Sequence, residues 1–152
     1  MQQRFGLGDR THVVDFEVTA VETVTPPIFQ STMTYHALSP ICVSKLRPDK
    51  TVEYLSPEHS EYGRLLVKNL ERKARALIMN DGSVAADHYA FKLLNTPRKK
   101  GIHIKEDTAQ HTQLLGYLFR FQLAATAELH EVGYYAGFGE KNSMGFGCVS
   151  RI

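Results

Sequence analysis

Cysteine is scarce in this chain, long apolar runs are missing, and neither sign of charge dominates. Only two cysteines occur in 152 residues, too few for a disulfide framework. Both Cys42 and Cys148 stand in strand-like apolar surroundings, so two buried thiols in a reducing compartment are expected. No apolar run approaches the ~20 residues that a bilayer-crossing helix needs. Met1-Gln2-Gln3-Arg4 leads into no apolar segment of the kind a secretory signal requires, which predicts a cytoplasmic protein with no membrane partner. Eighteen Lys+Arg against sixteen Asp+Glu leave a net charge of +2. Net charge therefore names no nucleic-acid partner, and any such reading must come from where the bases sit. The seven histidines, His12, His36, His59, His88, His103, His111 and His130, are scattered singly. None forms an i,i+4 pair or stands at zinc-site spacing from a cysteine, so no metal and no other cofactor is expected.

What is present is the composition of one folded domain over residues 1–152: 43% apolar and 22% charged, with no linker or repeat to divide it. His12 to Val24 alternates, with Val14, Phe16, Val18 and Ala20 on one side and Asp15, Glu17 and Thr19 on the other. That is a strand with one wet face, stopped by Pro26-Pro27. Thr32 to Lys45 is a second extended stretch, and Arg47-Pro48-Asp49-Lys50 turns it back into Thr51 to Leu55. Ser56 as N-cap and Pro57 at the first helical position predict a helix, whose Leu66, Leu70, Ala74, Leu77 and Ile78 should face a sheet. Asn80-Asp81-Gly82-Ser83 should end it. Tyr89 to Asn95, Gly101 to Lys105 and parts of Thr112 to Ala125 read as strands. Thr126 caps a short helix with Leu129, Val132, Gly133 and Ala136 on one face, and Gly137 suits a left-handed residue at its end. A last strand runs from about Phe146 to Ile152. Leaving out the first strand, the order is β-α-β-β-α-β. The predicted fold class is α+β, a ferredoxin-like, RNA-recognition-motif-like antiparallel sheet with two helices on one face and an extra N-terminal strand.

Bases cluster in two places. Arg64, Lys68, Arg72 and Arg75 follow one another at i+4, i+4 and i+3 down one side of the first helix. Arg98, Lys99 and Lys100 follow Thr96-Pro97 on an expected loop, where phosphate contact is sterically easy. A solvated face is the ordinary reading of each. The most unusual stretch is Gly137-x-Gly139, five residues, then Gly145-x-Gly147. It matches neither familiar phosphate loop, because Lys141 follows Glu140 rather than glycine and the segment leaves a helix to enter a strand. Free amides with Lys141, Asn142 and Ser143 at a tip would suit phosphate oxygens. Glycines serving packing alone would suit the same pattern.

The glycine spacing near the C-terminus resembles the loop of the CRISPR-associated endoribonucleases that cut precursor CRISPR RNA at its repeats, members of the repeat-associated RNA-binding superfamily. Leu38-Ser39-Pro40-Ile41-Cys42-Val43 is similar to that family's Ser-Pro-Ile strand, and Asn69-Leu70-Glu71-Arg72-Lys73 to its Asn-Leu-x-x-Lys helix segment. The three matches occur in the family's order, from about Phe16 to Ile152. Members usually carry two ferredoxin-like domains, and all three matches belong to the second. The resemblance implies that this chain corresponds to a C-terminal half, without the domain that commonly supplies a catalytic histidine. It further implies metal-independent cleavage by the upstream 2′-hydroxyl, leaving a cyclic phosphate, in a prokaryotic antiviral system. No histidine here matches the catalytic position, so none is assigned and the chain alone is expected to be inactive. A cut by this chain would direct attention to His36, His103 and His111. RNA holding carries over to Gly137, Gly139, Lys141, Asn142, Ser143, Gly145 and Gly147. Arg64, Lys68, Arg72, Arg98, Lys99 and Lys100 join them by clustering alone. The partner implied is CRISPR repeat RNA, with other CRISPR effector subunits or a second copy of the chain as further partners.

Two other readings compete. Gly145-Phe146-Gly147-Cys148-Val149 superficially resembles the core of an RNA-recognition motif, which would make the chain a non-catalytic single-strand binder. Met144 stands where that motif has a base, and Cys148 where it has an aromatic. A ferredoxin-like scaffold with no nucleic-acid role is the third, since the topology hosts many functions.

Overall fold

The computed structural model describes residues 3–8, 11–77, 88–104 and 112–152. Among the described residues the fold is mixed α and β, with antiparallel sheets and two α-helices. It opens with a ribbon of β1 (Gln3–Gly8) and β2 (Val13–Val18), paired so that Phe5 lies opposite Phe16 and Leu7 opposite Val14. The strand expected from His12 to Val24 is therefore shorter, and it has a partner that sequence patterning missed. The rings of Phe5 and Phe16 stack at 5.4 Å, yet Phe5, Leu7, Val14 and Phe16 all remain exposed.

Among the described residues the main sheet has four strands: β3 (Thr32–Ala37), β6 (Ala90–Leu93), β9 (Arg120–Ala124) and β10 (Val149–Arg151). Their spatial order is β10-β3-β9-β6, and every pair is antiparallel. Between β3 and β6 come a small hairpin, β4 (Ser44–Leu46) with β5 (Val52–Tyr54), and helix α1 (Tyr62–Leu77). A second two-stranded sheet pairs β7 (Arg98–Ile104) with β8 (Thr112–Leu118). Helix α2 (Ala127–Ala136) connects β9 towards β10.

Period-two patterning decides which face of the sheet is covered. On β3, Met33, Tyr35 and Ala37 are buried while Thr32, Thr34 and His36 are not. On β9, Phe121 and Leu123 turn the same way and pack with them. Both helices supply the opposing layer: Tyr62, Leu66, Val67, Leu70 and Ala74 from α1, and Leu129 and Val132 from α2. Each such side chain contributes about 1.5–3 kcal/mol on leaving water. Phe119, buried between β8 and β9, marks where one long strand stops pairing with β7 and joins the main sheet. The backbone of Tyr117 exchanges both hydrogen bonds with Ile41, at 2.9 and 3.0 Å, which ties the second sheet to the first.

Helix α1 starts five residues later than the predicted first position, Pro57. Ser56 to Glu61 forms tight turns, with the His59 amide on the Ser56 carbonyl and the Tyr62 amide on the His59 carbonyl, both at 2.9 Å. Ser56 Oγ accepts the Glu58 amide at 3.4 Å, as a capping residue should, but the regular helix begins only after the His59 ring has accepted the Glu61 amide through Nδ1 at 3.1 Å. Leu77, expected to face the sheet, is exposed at the helix end; Ile78 and the expected terminator Asn80–Ser83 lie outside the described residues. Thr126 caps α2 as predicted, accepting the Leu129 amide. Gly137 has φ 85° but ψ 149°, so it leaves the helix in an extended glycine conformation rather than a left-handed turn. Cys42 is buried, but Cys148 is exposed, a correction to the expectation of two buried thiols. Val149 takes the inward position next to it, so alternation turns Cys148 out. Among the described residues no helix is long and apolar enough to cross a membrane.

Candidate nucleic-acid interface

After α2 the chain folds back over the end of the main sheet through Gly137 to Gly147. Phe138 drops into the core, where its ring packs on Tyr35 at 4.9 Å and on Phe121 at 5.4 Å. A 3₁₀ turn, Asn142–Met144, forms the tip. Two glycines are demanded by close approach: a Cβ on Gly139 would run into the Cys42 carbonyl, and one on Gly147 into the Phe138 carbonyl. Gly145 faces open space, and only its φ of 85° calls for glycine there.

The loop's amides are largely committed inward. Phe138 N–H donates to the Gly147 carbonyl at 2.9 Å, Glu140 to Cys42 at 2.7 Å, and Gly147 to Pro40 at 2.9 Å. Met144 and Gly145 donate within the tip, and Cys148 donates to Ser39 Oγ at 2.9 Å. The amides of Phe138, Glu140, Met144, Gly145, Gly147 and Cys148 are thus spent within the fold, while those of Lys141, Asn142 and Ser143 at the tip make no such bond among the described residues. Asn142 is drawn inward as well, its Nδ2 donating to the carbonyls of Phe146 at 3.0 Å and Phe138 at 3.3 Å. Lys141 and Ser143 remain exposed at the tip.

Lys73 on α1, part of the Asn-Leu-x-x-Lys segment but given no role from sequence, clamps the loop to the helix. Its ammonium donates to the carbonyls of Gly137 at 2.5 Å and Gly139 at 2.7 Å. Burial, with a smaller contribution from Arg72, lowers its pKa from 10.5 to about 8. On the far side, the Glu140 carboxylate accepts from Ser44 Oγ at 2.8 Å and from the Ser44 amide at 3.2 Å, fastening the loop to the β4–β5 hairpin.

Between α1 and the loop lies an open groove of about 500 Å³, lined by Arg72, Lys73, Lys141 and Asn142 with Asn69 and Glu140. Three cations face one carboxylate that is already hydrogen-bonded. The groove therefore favours an anion. The expected basic row on α1 is solvent-facing at Arg64, Lys68 and Arg72. Arg72 carries that row into the groove, so the structure brings the helix bases and the loop together. Arg98, Lys99 and Lys100 are a correction: they sit on strand β7, opposite Leu118, Tyr117 and Gly116, not on a loop. They are exposed but do not line the groove. Gly116 nevertheless abuts Pro40 and the Phe146 ring, so β8 supports the glycine segment from below.

Of the histidines considered for chemistry, His36 is half-buried on β3 and His103 is exposed on β7, while His111 lies outside the described residues. His130 is fully buried, its Nδ1 3.0 Å from the Tyr35 hydroxyl. Among the described residues no three His, Cys, Asp or Glu converge as metal ligands.

A family model described as CRISPR associated protein Cas6, C-terminal, matches residues 23–151. The CRISPR-associated endoribonuclease Cas6 of Pyrococcus furiosus is 31% identical over 119 residues, covering 76% of this chain and 40% of that protein. Cas6 1 of Methanocaldococcus jannaschii is 32% identical over 104 residues, covering 68% of this chain and 37% of that protein. Among solved structures, a Cas6-related protein from Pyrococcus furiosus superposes with a TM-score of 0.77 at 23% identity, over 92% of this chain and 55% of its own. A repeat-associated protein described as binding different RNA substrates superposes with a TM-score of 0.65 at 22% identity, over 91% and 53%. The chain thus spans about two fifths of the curated relatives' length, and the structural likenesses speak for the fold.

Proposed function

The chain belongs to the Cas6 C-terminal family, and from that premise we propose that it holds CRISPR repeat RNA as the C-terminal domain of an endoribonuclease that cuts precursor CRISPR RNA within its repeats. The observation that carries the proposal is the groove where the α1 bases meet the glycine loop. Its binding groups are side-chain cations, Arg72, Lys73 and Lys141, while the glycines and Asn142 shape the wall that presents them. Phosphate oxygens are the natural occupants, and such contacts hold RNA without reading its sequence.

The strand order β10-β3-β9-β6, with both helices on one face, supports a ferredoxin-like arrangement for residues 23–151. Cleavage in the parent enzyme proceeds, on this reading, by attack of the 2′-hydroxyl without a metal, giving a 2′,3′-cyclic phosphate in the prokaryotic cytoplasm. The general acid and base belong to polypeptide outside this chain, so the chain alone binds and does not cut. Other effector subunits or a second copy would dock outside the groove.

Burial argues against the recognition-motif reading. Phe146, the residue that would stack on a base, is 3% exposed and packs with Cys42 and Leu114 beneath the loop. Incubating the chain with labelled repeat RNA in EDTA should give a low-salt complex and no discrete cut. Lys141→Ala should weaken that complex. The absence of any complex at low salt would favour the scaffold reading, and a discrete cut would overturn the division of labour.

A further inference from the structure

A second cleft opens at the other end of α1. Its volume is about 350 Å³, and His59, Gly63, Arg64, Tyr89 and Phe91 line it, with Glu58 at its side. That is near the lower end of small-ligand sites, ~300–1,000 Å³, room for a base and its sugar but not for an oligonucleotide. We propose that this cleft takes one unpaired nucleobase of the RNA strand whose backbone lies along α1. The proposal rests on the RNA-holding reading and adds a site to it.

Three features of the cleft point to a base. Tyr89 is 39% exposed and makes no ring contact among the described residues, whereas Phe91, which lines the same cleft, is knitted into Tyr62, Phe119 and Phe121. An exposed, uncommitted aromatic ring at a cleft whose other aromatic is fixed by the core offers a base a face to stack on. His59 spends Nδ1 on accepting the Glu61 amide, which leaves Nε2 as the ring nitrogen that can donate to a base carbonyl. Strand β6 is the edge of the main sheet and pairs only with β9 among the described strands, so its outer side offers unpaired main-chain groups. Gly63 makes the site possible: a Cβ there would stand 2.7 Å from Phe91 Cβ and push α1 off the strand.

The position of the cleft supplies the strand. Arg64, Lys68 and Arg72 recur every fourth residue, so their rise along the helix is about 6 Å per step. A backbone seated in the groove at Arg72 and following that row reaches Arg64, at the mouth of the cleft, about 12 Å further on. Arg64 is held by Glu61 at 2.8 Å, but the pair is exposed and exchanges for a phosphate at little cost. Glu58 repels phosphate from the cleft's other side, which leaves the base, not the backbone, to enter.

The test is anisotropy titration of a short labelled single-stranded RNA of mixed sequence, together with versions carrying one abasic position each. Tyr89→Ala should weaken binding of the intact RNA about 5- to 100-fold, while Tyr89→Phe restores it and the salt dependence stays unchanged. One abasic position should reproduce the Tyr89→Ala loss on the native chain and cost nothing further on Tyr89→Ala. If Arg72→Ala weakens binding but Tyr89→Ala leaves it unchanged, the base site is wrong and the groove stands. If the native chain binds no RNA at low salt, the RNA-holding reading falls and takes the base site with it.

Discussion

Replacing Lys73 by Met tests the clamp that joins α1 to the glycine loop. The substitution keeps most of the apolar stem and deletes two charge-assisted hydrogen bonds, to the carbonyls of Gly137 and Gly139. Bonds to charged groups are worth about 1.5–3 kcal/mol each when buried. Here the carbonyls border an open groove that water can refill, and removing the ammonium also removes its desolvation cost. The expected net loss is therefore about 1–2 kcal/mol in total, a fall in Tm of about 2–8 °C for a domain of this size. Loop amides such as Glu140 and Gly147 should exchange faster. The titration of Lys73 provides a second signature. The unfolded chain keeps this proton up to about 10.5, the folded chain only to about 8. Between those values the unfolded state binds more protons, so Lys73's contribution to stability rises with pH. RNA affinity should move the opposite way, falling as pH passes 8 and the groove loses a cation. The Met variant should lose this portion of both dependences. Scanning calorimetry and RNA anisotropy from pH 7 to about 9.5, a window bracketing the shifted Lys73 pKa, with amide hydrogen exchange at pH 7, would read all of these together. An unchanged Tm with unchanged loop exchange, or identical pH profiles for native and variant chains, would refute the clamp.

Three further outcomes follow from the same geometry. Gly147→Ala should destabilise by at least about 3 kcal/mol, because its Cβ strikes the Phe138 carbonyl, whereas Gly145→Ala should cost only about 1 kcal/mol for its backbone conformation; urea midpoints of the two variants would show the contrast. Phe146→Ala should lose about 3–5 kcal/mol to a cavity, yet bind RNA within about two-fold of the native chain where it remains folded; a specific loss of affinity would revive the recognition-motif reading. Arg98→Ala should leave the salt dependence of binding unchanged, since that residue lies on β7 outside the groove; a clear drop in slope would move the interface onto the second sheet.

Elements whose periodicity expresses a single buried face were readable in the sequence. α1 shows it through Leu66, Leu70 and Ala74, and α2 through Leu129, Val132 and Gly133 behind its Thr126 cap. Several of the misses share a cause: the deciding contact is distant in sequence. Arg98-Lys99-Lys100 reads as a polar loop after Pro97, but ladder bonds to β8 make it a strand. Nothing local reveals that Gln3–Gly8 pairs with β2, because its glycines hide the alternation. Ser56 does accept the Glu58 amide, as its capping signal predicts, but tight turns through His59 delay the regular helix to Tyr62. In the glycine loop, residue spacing could not show whether amides point out or in. The partners that turn them in, Ser39, Pro40 and Cys42, lie about a hundred residues upstream. Lys73 was visible in its motif, but its role depends on the helix lying beside that loop.

The central claim is that a phosphate backbone sits in the groove between α1 and the glycine loop. The slope of log affinity against log salt for single-stranded RNA, measured on the native chain and on the Arg72→Ala, Lys141→Ala double variant, tests it most directly. Each phosphate contact to a single strand contributes about 0.7 to that slope, so the double variant should be shallower by about 1.4. A native slope near zero, or equal slopes for the two proteins, would contradict the account.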